Sequence, residues 1–241
     1  MLSWHYLYVV NVTKSDNFTV NMQNNTEFHD YIQQKETWDT VYKKNRRLWK
    51  GTPYKVEGIN DGDLVLEIGC GDGKTTRTPE LRSCLLIALD YAPNALYRCR
   101  TNRLQGQKIE YVNGDAQCLP FPKESFSFII AFHCLAHITK EGRRRSADEI
   151  YRVLKNGGTF LLRDFSVEDM RFGKGEMVDE NTFINKNGIS THFFVEHELL
   201  SLFERFPIKE IKKCNSNLII MGKIHIRSDV EIRCIKTIGT W

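Results

Sequence analysis

Several features that define other protein classes are missing from this 241-residue sequence. No apolar run approaches the roughly 20 residues that cross a bilayer. The apolar N-terminus lacks the basic start and the small-residue cleavage site of a secretory signal, so we expect no signal peptide. No two cysteines have CxxC spacing, and no repeat or low-complexity block is visible. The sequence therefore predicts a cytoplasmic protein without a membrane segment.

Composition sets further bounds on the function. Seven cysteines, an odd number in a chain of this length, are predicted to be reduced thiols. The formal net charge of +4 permits a polyanionic partner such as RNA without requiring one. With 41% hydrophobic residues the chain can bury one substantial core, which favours a single catalytic domain with some decoration.

Strand-like and helix-like segments alternate through the middle of the chain. Apolar runs predict strands at 64–68, 85–89, 109–112, 126–132 and 159–162, and helix-compatible stretches fill most of the gaps. We expect a helix at 145–154, which a Lys-Asn-Gly-Gly turn at 155–158 ends before the fifth strand begins. Alternation of this kind predicts an α/β fold, with a mostly parallel sheet and helices on both of its faces.

The two ends of the chain follow different patterns. Residues 1–27 read as an irregular extension, and 28–50 as an amphipathic helix that begins a domain spanning 28–241. After the fifth strand a polar, glycine-containing insertion is predicted at 166–190. A helix at 196–206 and strands at 208–213 and 230–237 follow, and the apolar run at 218–226 is either a further strand or the start of a long last one.

A glycine-rich loop follows the first strand in the stretch VLEIGCGDG. The glycines of Glu67-x-Gly69-x-Gly71-x-Gly73 allow a sharp turn and a close approach of the backbone to a bulky ligand. Their spacing differs both from the G-x-G-x-x-G of dinucleotide-binding folds and from the P-loop. A tight turn with a purely structural role is the alternative.

Polar residues at the ends of the next two strands strengthen the ligand interpretation. Asp90 lies about twenty residues past the loop, where a carboxylate can accept hydrogen bonds from both hydroxyls of a ribose. Tyr91 is placed to pack against an adenine or a ribose. After the third strand, Asp115 can accept from an exocyclic adenine amine while the Ala116 amide donates to a ring nitrogen. The carboxyl ends of neighbouring strands face one crevice, so these groups are expected to meet.

These motifs together resemble the class I S-adenosylmethionine-dependent methyltransferases over residues 63–164. The matching segments are VLEIGCGDG, NGDAQCLPFP, FSFIIAFHCLAHI and RVLKNGGTFLL, in that order. The resemblance implies a Rossmann-like seven-stranded sheet with an antiparallel last strand, and S-adenosyl-L-methionine as cofactor. It also implies that the cofactor is lined by Glu67, Gly69, Gly71, Asp90, Tyr91, Asp115, Ala116 and Phe132.

A second resemblance concerns residues 162–194, which are similar to the eukaryotic tRNA 3-methylcytidine methyltransferases. It implies a tRNA base as methyl acceptor, with cytidine N3 favoured. The chain departs from that family at residues 46–51, which replace a Lys-Asp-Arg-His-Trp element, and it lacks an arginine near the last motif. The shared residues are Arg163-Asp164-Phe165, Arg171-Phe172, Asn181 with Phe183, and Gly188 with His192-Phe193-Phe194.

Methyl transfer to such a base needs alignment and a dry pocket rather than a nucleophilic side chain. Asp164 is the candidate for holding the amine beside a cytosine N3, with His133 next to it; Arg163, Phe165 and Arg171 are expected as neighbours of the acceptor. The alternatives are a turn cap for Asp164 and a rim position without substrate contact for His133. His133 and His137 have the spacing of two zinc ligands but lack the glutamate of H-E-x-x-H, so no metal is expected.

The helix at 28–50 is predicted to close over the cofactor as a lid. Tyr42 and Arg47 would reach the carboxylate of the cofactor, and Trp38 and Trp49 would cover it. The alternative, which is compatible with a lid, is that these aromatic side chains pack as the apolar face of a core helix.

Basic clusters leave the acceptor and the partners open. They either contact phosphates or form solvated helix faces. A tRNA or a small molecule is therefore the expected substrate, with no membrane partner and no indicated partner protein. A small-molecule methyltransferase and a non-catalytic, cofactor-binding partner subunit are the rival functions. The clusters comprise Lys43, Lys44, Arg46, Arg47 and Lys50, and Arg143, Arg144, Arg145, Arg152 and Lys155.

Overall fold

The structure, a computed structural model, describes residues 25–45, 48 and 52–237. The predictions for residues 1–24, for Arg47 and for Trp49 lie outside these residues. Within the part of the chain that is described, no helix combines the length and the apolar character needed to cross a membrane. All seven cysteines are described, and none of them forms a disulfide.

Seven strands form the main sheet, and their topology confirms the predicted α/β fold. Five of them are mutually parallel: β1 (Leu64–Ile68), β2 (Leu85–Asp90), β3 (Ile109–Asn113), β4 (Phe126–Phe132) and β5 (Leu154–Phe165). A small second sheet contains β6 (Glu176–Asp179), β7 (Thr182–Ile184) and β8 (Ser190–His192). The last strands are β9 (Ile208–Ile220) and β10 (Lys223–Ile235). The main sheet has the order β3-β2-β1-β4-β5-β10-β9, and β10 is antiparallel to β5, as expected for the last strand.

Apolar runs form the centre of the sheet because a parallel strand covered on both faces must be apolar on both. In β4, the FSFIIAF run leaves only Ser127 partly exposed. The helices on the sheet are α2 (Pro93–Asn102), α3 (Lys140–Val153) and α4 (Glu196–Leu202). They bury two apolar layers, one on each side of β1 and β4.

The ends of several elements differ from the sequence prediction. Helix α3 begins at Lys140, because Thr139 caps it by accepting from the Gly142 amide. The Lys-Asn-Gly-Gly segment is not a separate turn: β5 already begins at Leu154 and passes through it, with Gly157 at φ +78°. The Gly157 amide donates to the Lys236 carbonyl, so the glycine adjusts the strand instead of ending a helix.

The gap between β1 and β2 holds no α-helix. Two short 3-10 turns, Thr75–Arg77 and Pro79–Leu81, follow the glycine loop instead. The segment is short, and Pro79 lacks the backbone N–H that a residue inside an α-helix has to donate. The glycine loop therefore joins a compact connection that packs on Cys99 of α2.

The C-terminal segments predicted as strands, at 208–213, 218–226 and 230–237, belong to two long strands. β9 and β10 pair along their full lengths, from Ile208 opposite Ile235 to Ile220 opposite Lys223. The connecting residues Met221 and Gly222 both have positive φ, +49° and +76°, which suits a two-residue hairpin turn that follows the strand twist. The sequence prediction missed this because polar residues interrupt the apolar pattern at 214–217.

The predicted lid and the predicted insertion contact each other. The lid helix is α1 (Asn25–Lys44), shorter at its end than the expected 28–50. Its Gln34 side chain donates to the Gly188 carbonyl and accepts from the Ser190 amide, both in the insertion. Asp39 of the same helix accepts from the backbone amide of Asn94 at the start of α2. These bonds place α1 across the carboxyl ends of β1, β2 and β4.

Candidate functional site

A crevice of about 760 Å³, counting its open mouth, lies at the carboxyl ends of the parallel strands. This is where open α/β sheets bind their ligands. Four of the predicted residues do not line the crevice but lie behind its wall: Glu67, Gly71, Phe132 and Asp164. Those that line it are Tyr42, Gly69, Asp90, Tyr91, Asp115, Ala116 and His133.

The glycines of the loop are required by the protein's own packing as well as by a ligand. Gly69, Gly71 and Gly73 all have positive φ, between +55° and +84°. A Cβ on Gly69 would lie 2.6 Å from the Sγ of Cys134, and one on Gly73 would lie 2.8 Å from the Oγ1 of Thr76. The sequence interpretation attributed the bare backbone to a sharp turn and to ligand space; the structure adds close contacts with Cys134, which follows β4, and with the 3-10 turn.

Asp90 is fixed at the centre of the crevice by the backbone. One carboxylate oxygen accepts from the Gly71 amide and the other from the Ala92 amide, both at 2.9 Å. Burial raises the pKa of Asp90 to about 6, although the backbone amides that it accepts oppose the rise. Each carboxylate oxygen retains a further acceptor position, which suits the two hydroxyls of a ribose.

Asp115 has a partner that the sequence did not reveal. The hydroxyl of Tyr31, on the lid helix, donates to its Oδ2 at 2.7 Å, and the Gln117 amide donates to its Oδ1. Burial and the neighbouring Asp115 raise the pKa of Tyr31. Tyr31 and Gln117 both line the crevice. The contact between Tyr31 and Asp115 spans 84 positions along the chain, which no local pattern predicts.

Glu67 carries an unsatisfied buried atom. Its side chain lies at the end of β1 and is 3% exposed, and its Oε2 has no hydrogen-bond partner among the described residues. Burial raises its pKa well above the usual value. An unpaired buried carboxyl oxygen beside a ligand crevice is the type of group that a bound cation or N–H donor satisfies.

Trp38 and Tyr42 of the lid helix pack as core residues and also line the crevice, while closure over a cofactor stays a prediction. Trp38 and Tyr42 are 6% exposed, and their rings stack with centroids 5.8 Å apart. They pack against Ala92 and Ala95 of the α2 region, as core residues do, and they also line the crevice. The partner role of Arg47 toward a cofactor carboxylate stays a prediction.

His133 occupies a strained position at the end of β4. Its φ is +52°, uncommon for a residue with a side chain and a frequent feature of functional sites. Its Nε2 lies 3.2 Å from the Tyr54 hydroxyl, which also donates to the Oδ2 of Asp229. Burial, followed by the charges of Arg171, Arg227 and Lys74, lowers the pKa of His133 well below its usual value. Its ring stacks on Phe165 at 4.5 Å, so it is a neutral aromatic surface at the crevice.

Asp164 does not reach the crevice. It is fully buried, its Oδ2 accepts from the Ala136 amide at 2.9 Å, and its Oδ1 accepts from its neighbour Phe165 at 3.1 Å. Burial raises its pKa to about 7. This arrangement is the turn cap that was the alternative for Asp164, since the bond to Ala136 fixes the 3-10 turn after β4. Direct contact of Asp164 with an acceptor stays a prediction.

The other expected neighbours of the acceptor divide into two groups. Phe165 faces His133, with the guanidinium of Arg171 4.1 Å from its ring. Arg163 belongs to the second group: its guanidinium lies 4.2 Å from the centre of the Tyr54 ring and is paired with Glu231. Phe165 and Arg171 therefore lie next to His133, which lines the crevice. Arg163 packs on the ring of Tyr54 instead.

His137 lines the crevice, although the sequence pattern indicated it only as a candidate metal ligand. Its Nδ1 lies 2.7 Å from the backbone carbonyl oxygen of Ser190, in β8 of the insertion. Within the described residues no group of three or more His, Cys, Asp and Glu side chains is arranged to hold a metal ion. The spacing of His133 and His137 could be read from the sequence, but the contact with β8 could not.

Several basic residues that were considered for phosphate binding are already paired. Arg143 is 3% exposed and bonds to Glu198, while Arg152 bonds to Glu149 and to two backbone carbonyls. Arg145 donates to the side-chain oxygen of Gln117. Lys43 and Lys44 are exposed at the end of α1. The cluster on α3 is therefore largely structural, in line with the alternative considered for it.

The residues that line the crevice fit the adenosine part of a ligand. Asp115 and the Ala116 amide suit an adenine and Asp90 suits a ribose, while the orphaned Oε2 of Glu67 suits an ammonium but lies behind the wall, outside the lining. Gly69 lines the crevice as well, and a Cβ there would lie 2.6 Å from the Sγ of Cys134. This fit rests on the hydrogen-bond donors and acceptors at the carboxyl ends of β1, β2 and β3.

Comparisons with known proteins agree with this geometry. A family model described as "Methyltransferase domain" matches residues 66–162. Among solved structures, a SAM-dependent methyltransferase from Methanosarcina mazei is 25% identical, with a TM-score of 0.58, over 74% of this chain and 95% of that one. The predicted methyltransferase fold and the S-adenosylmethionine cofactor are confirmed.

Curated relatives include enzymes that act on tRNA. The tRNA N(3)-cytidine methyltransferase METTL2 of Bos taurus is 28% identical over 160 residues, which is 61% of this chain and 42% of that protein. The tRNA(Thr) (cytosine(32)-N(3))-methyltransferase of Saccharomyces cerevisiae is 26% identical over 194 residues, 70% of this chain and 31% of that protein. The chain thus spans less than half the length of these relatives.

Proposed function

We propose that this chain, which carries an S-adenosylmethionine-dependent methyltransferase domain, transfers a methyl group to a base of tRNA, with cytidine N3 as the favoured acceptor. The cofactor supplies a methyl group on a sulfonium, whose leaving group departs neutral. The protein then has to hold donor and acceptor in line and exclude water. We include a cytoplasmic location and the assignment of the cofactor-binding residues in the proposal.

The observation that carries the proposal is the position of the insertion. The segment that resembles the tRNA 3-methylcytidine enzymes folds against the carboxyl end of β5, beside the crevice. Phe193 lies 6.1 Å from Phe165 and 5.5 Å from Phe172, and the Ser190 carbonyl contacts His137. Phe165 and Ser190 of the second resemblance thus contact His133 and His137, which line the crevice, and this supports an acceptor on that side.

The electrostatics of this wall suit a cytosine acceptor. The pKa of His133 is well below its usual value and that of His137 is about 4, chiefly through burial, so both imidazoles are neutral near pH 7. Neutral rings do not repel a sulfonium or the positive charge that develops on a cytosine methylated at N3. The N3 lone pair is available without deprotonation, so no strong base is required.

A small-molecule acceptor is the second candidate. The ion pairs of Arg143, Arg152 and Arg171 favour it, because they leave fewer cations near the crevice for phosphates. Tight binding of RNA would give a steep fall of affinity with salt, whereas a small metabolite would give a shallow one. Retention on an RNA column between about 50 and 200 mM salt distinguishes the two.

The decisive experiment is transfer of radiolabelled methyl from S-adenosylmethionine into total tRNA, followed by nucleoside digestion and chromatography. We expect label in a methylated cytidine. Label in another nucleoside would contradict the N3 assignment while keeping the tRNA acceptor. No label, in a protein shown by calorimetry to bind the cofactor, would favour a small-molecule acceptor, a missing partner subunit or the non-catalytic alternative.

A further inference from the structure

The hydrogen bond between His137 and the insertion fixes where the imidazole carries its hydrogen. A backbone carbonyl only accepts, so the Nδ1 of His137, 2.7 Å from the Ser190 oxygen, must be the donor. Burial lowers the pKa of His137 to about 4, with a smaller contribution from the charge of Arg171, so the ring is neutral near pH 7. A neutral imidazole has one hydrogen. Its Nε2 is therefore a lone-pair acceptor.

This acceptor is left without a hydrogen-bond partner in the described part of the chain. The Nε2 of His137 is buried and makes no hydrogen bond with any described residue, although His137 lines the crevice. A buried polar atom without a partner destabilises the fold. Such an atom in the wall of a ligand site is expected to be satisfied by an N–H or O–H of the bound molecule.

The surroundings of His137 place it on the acceptor side. Its ring meets Trp38 of the lid edge-on at 4.7 Å and Phe165 of β5 at 6.0 Å. The groups suited to adenine, ribose and ammonium are on β1, β2 and β3, as described above. His137 instead contacts β5 and, through Ser190, the insertion that supports the tRNA proposal. An N–H donor that reaches it from this side belongs to the methyl acceptor.

We propose that the Nε2 of His137 accepts a hydrogen bond from the exocyclic amine of the acceptor base and selects an amine-bearing ring such as cytosine. A uracil presents a carbonyl oxygen at the same position, and two facing acceptors repel each other. This role rests on the proposed function, because it requires a base as methyl acceptor. It assigns His137 a part in specificity that its spacing to His133 did not indicate.

Ser190, which does not line the crevice, and Gln34, which does, fix the orientation of this acceptor. Ser190 holds the Nδ1 hydrogen through its carbonyl, and its own amide donates to Gln34 at 3.1 Å. Gln34 also donates to the Gly188 carbonyl at 2.8 Å. The lid helix, the insertion and the turn after β4 are thus connected in one chain of hydrogen bonds that ends at His137.

A deletion of the amine from the substrate tests the assignment. The RNA that is labelled in the tRNA assay is resynthesised with cytidine, or with the pyrimidin-2-one riboside that lacks the 4-amino group, at the methylated position. For the wild-type protein we expect kcat/KM to fall by more than about tenfold on the RNA without the amine, because the hydrogen bond contributes about tenfold and the N3 of the pyrimidin-2-one, without electron donation from the amine, is also a weaker nucleophile. Equal rates on the two RNAs would overturn the inference while leaving the proposed function intact.

Two substitutions of His137 separate its two hydrogen bonds. The amide of His137→Asn can replace the Nδ1 donor to Ser190 but reaches no further, whereas the oxygen of His137→Gln lies near the position of Nε2. We expect the preference for the amine to be about tenfold smaller in His137→Asn than in the wild-type protein and nearly unchanged in His137→Gln. The melting temperature of each variant reports the structural contribution separately.

Two further outcomes count against the inference. A loss of affinity for S-adenosylhomocysteine in His137→Asn, with the preference for the amine intact, would assign the N–H donor to the cofactor. Absence of label on both RNAs with wild-type protein would contradict the proposed function, and the base assignment with it. If His137→Asn does not fold, equal rates on the two RNAs with wild-type protein would still overturn the inference.

Discussion

The two halves of the crevice satisfy their polar groups in different ways. On the half formed by β1, β2 and β3, both oxygens of Asp90 and both oxygens of Asp115 already accept hydrogen bonds within the protein. On the half formed by β4, β5 and the insertion, the Nδ1 of His133 and the Nε2 of His137 are buried without a partner among the described residues. The carboxylates that line the first half are thus preorganised, although the Oε2 of Glu67 behind them has no partner among the described residues, whereas the second half has open nitrogens in its wall.

This difference indicates what each half recognises. Carboxylates fixed by backbone amides keep one geometry and suit a cofactor that is the same in every turnover. Neutral imidazoles with open nitrogens, between the aromatic rings of Trp38 and Phe165, suit an acceptor ring that enters and leaves. Substitutions in the first half should therefore change cofactor affinity, and those in the second half should change turnover.

The largest effect is expected at the centre of the cofactor half. Asp90→Ala removes the acceptor of the ribose hydroxyls and leaves the Gly71 and Ala92 amides unpaired. We expect the affinity for S-adenosylhomocysteine to fall at least about 100-fold, which corresponds to roughly 3 kcal/mol for two hydrogen bonds to a charged group. Isothermal titration calorimetry measures it, with Asp61→Ala as a control at an exposed carboxylate. Unchanged affinity in the Asp90 variant would disprove the site assignment.

The next effect is expected at His133 and should leave cofactor affinity alone. His133→Asn removes the ring that stacks on Phe165, and asparagine tolerates the positive φ of this position better than most residues. We expect turnover to fall about tenfold through loss of acceptor alignment, with affinity for S-adenosylhomocysteine within about twofold. The exposed His197 provides a matched His→Asn control. If cofactor affinity falls as much as turnover, the division into two halves is wrong.

The sequence predicted that Asp90 and Asp115 meet at one edge of the sheet because each stands at the end of a strand, and both line the crevice. The parallel topology alone brings them together. The antiparallel last strand was instead implied by the resemblance to the class I methyltransferases, and β10 confirms it. The sequence pattern misjudged the start of β5, because Gly157 within the strand looks like a turn in a one-dimensional pattern.

The acceptor half depends on contacts between distant segments, which no local pattern contains. Tyr54 reaches Asp229 across 175 positions, and Gln34 reaches Ser190 across 156. The position of Asp164 at the carboxyl end of β5 made it the candidate for contact with the acceptor. In the structure its neighbour Phe165 stacks on His133 of the crevice, and Asp164 points to the turn after β4. In a strand, side chains alternate between the two faces, so an error of one position reverses the role.

The buried carboxyl of Asp164 predicts a dependence of stability on pH. Its pKa is raised to about 7 in the folded protein, against about 3.9 when unfolded. Between these values the folded state binds more protons, so the free energy of unfolding falls as the pH rises from about 4 to about 7. Asp164→Asn removes this contribution, and we expect its melting temperature to fall less steeply over that range. Parallel curves for the two proteins would contradict the burial effect; Asp90, with the same sign, is present in both.

The smallest effect is expected where the two halves are joined. Gln34→Ala breaks the bonds from the lid helix to Gly188 and Ser190, but Asp39 still attaches that helix to α2. Two neutral hydrogen bonds near the surface contribute about 1 kcal/mol in sum, so we expect kcat/KM for RNA to fall about threefold with little change in cofactor affinity. The adjacent, exposed Gln33 provides a Gln→Ala control on the same helix. An effect on cofactor affinity alone would show that the lid serves the donor half, and that the insertion orients His137 without help from α1.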